Sequence, residues 1–315
     1  MSFSLTAKNE IARIVPGKKC CQLAELAVLG GMNGRLETGN GQPLIVVSNE
    51  NAAAARKIFK LCRNLFPSLL LQVSVTKKKR LKKNNVYHVF IPFQAGVAGV
   101  LDRLQLEFAE GKHLQWTDQL GGNKCCRRAY LRGAFLAGGS VSNPRGNYHL
   151  EIITREIAQA RFFCSLMEDF GLQPRINQRK LKQVIYLKES DQIVHFLNLV
   201  GAHAALLSFE NTRVVKDVRN QVNRLVNCET ANLNKSVETG VRQVETIRYL
   251  QARLDLGKLP VSLREIARLR LEYPEASLKE LGELLDPPVS KSGANHRLRR
   301  LEEIAANLER KGRSI

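Results

Sequence analysis

Eight polar or basic residues crowd one short stretch near the C-terminus: Ser290, Lys291, Ser292, Asn295, His296, Arg297, Arg299 and Arg300. Side chains of this kind, carried on a helix, hydrogen-bond base edges and pair with phosphates. His296 stands alone among arginines and reads as a base or phosphate contact, or as an exposed side chain, not as a catalytic group. Two further basic runs lie upstream, Lys77, Lys78, Lys79, Arg80, Lys82 and Lys83 in one and Arg175, Arg179, Lys180 and Lys182 in the other. They could neutralise phosphates without choosing a sequence, or simply be solvated hairpin tips. Cysteines fall in two vicinal pairs, Cys20 with Cys21 and Cys125 with Cys126. Four thiolates can bind Zn²⁺ tetrahedrally. Vicinal cysteines point to different faces of a helix, however, so core packing is expected, with no metal and no cofactor.

The whole chain favours a polyanionic partner. Its 315 residues carry 49 Lys and Arg against 29 Asp and Glu, a formal net charge of +20, and the cations cluster instead of alternating with acids. Double-stranded DNA leads, with other regulators or RNA polymerase as further partners. A hydrophobic content of 44% can bury the cores of two soluble domains. No apolar run is long enough to span a bilayer, and the first residues do not resemble a signal peptide. A cytoplasmic, nucleoid-associated protein without a membrane partner is expected. The seven cysteines are an odd number and include no Cys-x-x-Cys, which fits reduced thiols.

These groups must be positioned by repeated elements. A displacement of 105 places Lys19, Cys20 and Cys21 on Lys124, Cys125 and Cys126, and continues through Leu26 on Leu131, Gly34 on Gly139, Arg56 on Arg161 and Leu61 on Leu166. Two copies of one unit follow. Each reads as a helix (about 18–33 or 124–138), a hairpin turning at Thr38 to Gly41 or at Asn143 to Gly146, a second helix (about 51–66 or 156–170), and two more strands. The strands are predicted over 69–76 and 86–91 in the first copy and over 174–178 and 183–188 in the second. The unit is α-β-β-α-β-β, closed by a helix, and the basic runs sit between its last two strands.

Beyond the repeat the pattern is helical. One helix is predicted from Phe209 to about Asn227, and a second follows Leu233, Val237, Val241, Val244, Ile247, Leu250 and Leu254, ending at Gly257. Ser262 with Glu265 and Ser277 with Glu280 read as capping boxes opening two more, the first of which stops at Tyr273-Pro274. The turn from Asp286 to Val289 breaks the chain, and Ser290 caps a last helix whose stripe Ala294, Leu298, Leu301, Ala305 and Leu308 faces inward. The basic set beginning at Ser290 then faces outward. Helix, turn and basic helix is the helix-turn-helix arrangement, with Ser277 to Leu285 bracing the recognition helix. A plain three-helix bundle with a charged outer face is the competing reading.

Leu131 to Gly139 resembles the LAGLIDADG helix of homing endonucleases, matching the nine-letter motif at its first, third, seventh and ninth letters. Leu26 to Gly34 agrees at the first, second, fourth and ninth. The resemblance implies two helices packed on a pseudo-two-fold axis, with the acidic eighth letter of each holding a divalent metal at the scissile phosphates. Here the eighth letters are Asn33 and Gly138. Mg²⁺ needs anionic oxygens, so nuclease activity is not expected unless Glu37 and Glu151 on the hairpin strands form a relocated site. Gly30, Gly31, Gly133, Gly138 and Gly139 read as packing positions at the crossing.

Three segments, Cys125 to Val141, Asn223 to Asn232 and Ser290 to Leu298, make the whole chain similar to the WhiA family. That resemblance implies a DNA-binding protein of Gram-positive bacteria linked to transcriptional control, cell division, chromosome segregation and, in relatives, sporulation. Asn223, Asn227 and Asn232 are expected to bridge backbone groups at a hinge or to touch DNA, the former being favoured. The expected architecture is α+β: a degenerate endonuclease-like domain at 1–205, a helical linker at 206–230 and an all-α helix-turn-helix domain at 231–315. The expected function is non-enzymatic, sequence-selective DNA binding. A Mg²⁺-dependent nuclease with relocated carboxylates and an RNA-binding or scaffolding protein are the alternatives.

Overall fold

The computed structural model describes residues 2–39, 42–77, 85–94, 96–108, 114–116 and 122–312. They fall into two compact units, Met1–Lys216 and Asp217–Ile315.

The first unit opens with a helix that periodicity did not announce, α1 (Phe3–Ala12), whose start is capped by the Ser2 hydroxyl accepting from the Leu5 amide at 3.3 Å. The first copy of the repeat follows: α2 (Lys19–Asn33), β1 (Gly34–Gly39), β2 (Gln42–Asn49), α3 (Ala52–Leu65), β3 (Gln72–Lys77), β4 (Asn85–Pro92) and α4 (Val97–Arg103). A short unpredicted hairpin, β5 (Leu106–Phe108) with β6 (Leu114–Trp116), precedes the second copy. That copy is α5 (Lys124–Gly138), β7 (Gly139–Val141), β8 (Leu150–Thr154), α6 (Ile157–Glu168), β9 (Arg175–Arg179), β10 (Lys182–Leu187) and α7 (Ser190–Val200).

Both copies build a four-stranded antiparallel sheet of the same order, β1-β2-β4-β3 and β7-β8-β10-β9. The αββαββ repeat and its closing helix are therefore present twice. Alternation along the strands sends Ile45, Val47, Val89 and Ile91 of one sheet, and Leu150, Ile152, Ile185 and Leu187 of the other, into a shared core with the helices. At its centre α2 and α5 pack side by side; α2 is buried nearly all round, as its apolar sequence requires, and α5 is buried along most of Ala129 to Leu136 while Lys124 and Arg128 stay exposed. A Cβ on Gly133 would stand 2.9 Å from the Glu25 carbonyl oxygen, so only glycine permits this closeness.

One pseudo-symmetric slot is filled in two different ways. In the first copy Glu25 of α2 and Lys57 of α3 form an ion pair whose side chains are 0% exposed, and the Lys57 ammonium also donates to the Ile11 carbonyl at 3.0 Å. A displacement of 105 turns this pair into Tyr130 and Phe162. Those rings meet edge to face with centroids 5.8 Å apart. Burial pushes the Glu25 carboxyl up against the pull of Lys57 and Arg132, and burial lowers Lys57 to about 8 against the pull of Glu25.

Helix α8 (His203–Arg253) starts in the first unit and ends in the second. Apolar spacing predicts two helices here, one to about Asn227 and one from Leu233, but neither Gly nor Pro occurs from 203 to 239, and the helix runs through. Gly257 does not end it; the helix stops at Arg253, and Gly257 sits in a 3-10 turn where its amide donates to Asp255 Oδ1 at 2.9 Å.

In the second unit α8 is followed by α9 (Val261–Glu272), α10 (Leu278–Glu283) and α11 (Lys291–Gly312). The capping box expected at Ser262 does not form. Pro260 takes the cap position, and its carbonyl accepts from the amides of Leu263 at 2.9 Å and Arg264 at 3.1 Å, which leaves Ser262 inside the first turn. The box at Ser277 does form, with Ser277 N–H donating to Glu280 Oε2 at 2.6 Å and Glu280 N–H to Ser277 Oγ at 3.3 Å.

Candidate nucleic-acid interface

The second unit is built around the inward stripe of α11. Ala294, Leu298, Leu301 and Ala305 are buried with Ile266 and Ala267 of α9, Leu281 of α10 and Leu285 just beyond it. Two devices fix the turns. Arg270, buried, donates to the carbonyls of Ala276 at 2.6 Å and Pro274 at 3.2 Å, tying off the turn between α9 and α10. Between α10 and α11 the Val289 amide donates to the Gly282 carbonyl at 2.9 Å, and a Cβ on Gly282 would meet the Val289 oxygen at 2.4 Å. Ser290 then caps α11, its hydroxyl accepting from the Gly293 amide at 3.2 Å.

With that stripe inward, the opposite side of α11 is determined. Lys291, Ser292, His296, Arg299 and Arg300 are exposed, and Asn295 and Arg297 are half-buried at the flanks. Arg300 pairs with Glu303 at 2.6 Å. Among the described residues no carboxylate pairs with Lys291, Arg297 or Arg299. The N-terminal turns of α11 therefore present unneutralised cations beside short polar side chains, a chemistry that suits phosphates and base edges.

In the first unit the C-terminal ends of α2 and α5 carry Asn33 and Gly138. The Asn33 amide donates to the Ala137 carbonyl of the opposing helix at 3.4 Å, so the position where the resemblance places a metal-binding acid holds a cross-helix hydrogen bond. At the second position the backbone has closed in, since a Cβ on Gly138 would lie 2.5 Å from the Ile153 oxygen. Glu37 and Glu151 are each engaged by partners within their own hairpin. Glu37 is bound by Arg35, and Glu151 accepts from Ser140 Oγ at 3.1 Å and faces His149 at 3.3 Å.

The basic hairpins are only partly described. Lys77 is the last residue of β3 and shares a face with Val73 and Val75; Lys78, Lys79, Arg80, Lys82 and Lys83 lie outside the described residues. In the second copy Arg175 and Arg179 alternate onto the sheet face opposite the core, Lys182 lies across from Arg179 on the same face, and all are exposed. Lys180, with φ 58°, forms the tight turn between them.

The structure also gathers a group that the sequence reading kept apart. Cys20, Cys21, Cys125 and Cys126 have Sγ atoms all within 4.8 Å of one another. Burial raises the Cys126 thiol to about 11, while the hydrogen bond with Cys21 lowers Cys125. The divergence of vicinal side chains on one helix had argued against a cluster. The repeat nevertheless places two such pairs at the starts of two helices that touch, a juxtaposition no local spacing shows.

The chain has close relatives of the same length. It is 53% identical over 314 residues to "Probable cell division protein WhiA" of Heliobacterium modesticaldum, covering 99% of this chain and 98% of that one. The protein of the same name from Desulforamulus reducens is 52% identical over 314 residues, covering 98% and 96%. The chain belongs to the WhiA family. Family models agree along its length: a WhiA N-terminal LAGLIDADG-like domain matches residues 19–107, a WhiA LAGLIDADG-like domain 127–219, and a WhiA C-terminal HTH domain 222–305. The crystal structure of full-length WhiA from Thermatoga maritima superimposes with a TM-score of 0.60 at 26% identity, covering 98% of this chain and 99% of that one.

As a WhiA protein the chain joins a degenerate LAGLIDADG-like repeat to a C-terminal helix-turn-helix domain, an α+β architecture. No described helix is long and apolar enough to cross a membrane. The segment from Asn223 to Asn232 corrects one expectation. Its three asparagines lie exposed in the middle of α8, where intrahelical hydrogen bonds already satisfy the backbone, so they cap no helix end.

Proposed function

We propose that this WhiA protein is a non-enzymatic, sequence-selective regulator that binds double-stranded DNA through the first turns of α11, acting at the nucleoid in cell division. The observation that carries the reading is the outward set Lys291, Ser292, His296 and Arg299, left without carboxylate partners among the described residues and presented behind the α10 brace. The names of the relatives supply the setting, cell division. In this reading Arg175, Arg179, Lys180 and Lys182, with the run from Lys77 to Lys83, add affinity through phosphates. Other regulators or RNA polymerase are further partners. The Asn33 hydrogen bond and the closed backbone at Gly138 support a scaffold that has lost cleavage.

Fluorescence anisotropy on the preferred duplex and on random duplex tests it. Lys291→Ala with Arg299→Ala should weaken the preferred site more, each base contact being worth about 1–3 kcal/mol of discrimination. Removal of Arg175 and Arg179 should weaken both duplexes alike and flatten the salt dependence. Equal loss on both duplexes from the α11 variant sinks the recognition role.

A further inference from the structure

The geometry points to a mononuclear zinc tetrathiolate formed by Cys20, Cys21, Cys125 and Cys126 at the pseudo-two-fold axis of the repeat. Each pair occupies the second and third positions of its helix, after Lys19 in α2 and Lys124 in α5. On either helix alone the two side chains diverge. Because α2 and α5 pack together, their first turns face each other and all four sulfurs reach one point.

The dimensions select a single ion. Zn–S bonds of about 2.3 Å set at tetrahedral angles place sulfurs about 3.8 Å apart. Here every pair lies within 4.8 Å, and Cys20 and Cys21 are 4.0 Å apart. An iron–sulfur cluster spreads its cysteines around a body of several atoms, and four sulfurs this close leave no room for one.

The surroundings suit a thiolate site better than a packed core. Cys62 and Cys164 show what packing does here, each buried alone among apolar side chains. By contrast Cys20 is exposed and Cys125 half-buried, which gives an ion a way in. Binding forms four Zn–S bonds, releases the thiol protons to solvent and leaves a net charge of −2 on the site. Lys18, Lys19 and Lys124 flank it in sequence, and two helix N-termini point their positive ends at it. Neither helix start is closed by a side-chain cap. Gly122, at φ +136°, lets the chain turn in beside the cluster, and a Cβ added there would stand 3.0 Å from the Cys126 Cβ and crowd the ligand. The ion would pin together the ends of α2 and α5 opposite Asn33 and Gly138, about 20 Å away for helices of this length.

The test uses the full chain purified under reducing conditions. Metal content is measured, and the chelated protein is titrated with Co²⁺ and then Zn²⁺. One equivalent per chain, the visible bands of tetrahedral cobalt with sulfur-to-cobalt charge transfer, and displacement by Zn²⁺ are expected. Cys20→Ser and Cys125→Ser, chosen at accessible positions so that the fold survives by circular dichroism, should abolish the tetrathiolate spectrum. They should weaken Zn²⁺ by more than the ~10–100-fold that loss of an outer partner costs. Cys228→Ser, on α8 and outside the cluster, should change nothing. Absence of the cobalt–sulfur bands in the reduced chain, retention of full affinity by both cluster variants, or a polynuclear iron content overturns the assignment.

Discussion

The buried Glu25–Lys57 pair gives the sharpest quantitative test of the fold. Glu25 faces two cations, Lys57 and Arg132, while Lys57 faces Glu25 on one side and Arg132 on the other. Replacing Glu25 by Gln therefore strands a fully buried ammonium beside a guanidinium whose Nε already lacks a partner. Breaking a buried pair from one side costs about 3–5 kcal/mol. At about 2–4 °C per kcal/mol for a unit of this size, Glu25→Gln should lower the Tm by roughly 6–20 °C. Lys57→Met should cost less, because Arg132 still balances the remaining carboxylate. The second copy supplies the repair: Glu25→Tyr with Lys57→Phe installs the pair that Tyr130 and Phe162 form at the equivalent slot. Since apolar replacement of a buried ion pair is often neutral or stabilising by about 1–4 kcal/mol, the double variant should recover most of the loss. Ile11 keeps a donor in that variant, its carbonyl already accepting from the Ile14 amide at 3.2 Å. Thermal and urea denaturation of the full chain, followed by circular dichroism, measures all four proteins. The reasoning fails if Glu25→Gln costs less than about 1 kcal/mol, if Lys57→Met costs more than Glu25→Gln, or if the double variant loses the sum of the singles.

The same pair sets a pH dependence. Lys57 is lowered from 10.5 to about 8 in the folded chain, so between those values the unfolded state holds a proton that the native state has released. Stability should then gain from this group as pH rises from about 8 to 10.5, and Lys57→Met should lose that upward slope in a series of urea midpoints. Gly282→Ala should destabilise the second unit by about 1–3 kcal/mol, because its Cβ would sit 2.4 Å from the Val289 oxygen; an unchanged melting profile would show that the turn gives way freely. Restoring acids with Asn33→Asp and Gly138→Asp should yield no plasmid cleavage with Mg²⁺ or Mn²⁺ and should lower stability. The backbone at Ile153 has taken the space, and the Asn33 donor to Ala137 would be gone. Metal-dependent nicking by that variant would show the scaffold still open.

Much of this chain was legible in one dimension. The displacement of 105 announced the two copies, and local chemistry announced the Ser277 capping box, the stop at Tyr273 and the stripe from Ala294 to Ala305, because each depends on neighbours within a turn or two. The same stripe fixed which side of α11 faces out, and the eighth motif letters, Asn33 and Gly138, announced the lost carboxylates. Other features belonged to the tertiary structure. Ser262 looked like a cap, but Pro260 had already supplied the carbonyl. Asn223 to Asn232 looked like a hinge, but with no breaker nearby helix propagation costs little, and α8 ran on. Four cysteines judged pair by pair diverge; they converge only because two helices 105 residues apart in sequence begin side by side. Nothing in their local sequence marks Glu25 and Lys57 as a buried pair; the packing of α2 against α3 and α5 removed their water. Sequence periodicity fixes which face of an element is apolar, whereas which groups meet across elements depends on long-range packing that no local spacing encodes.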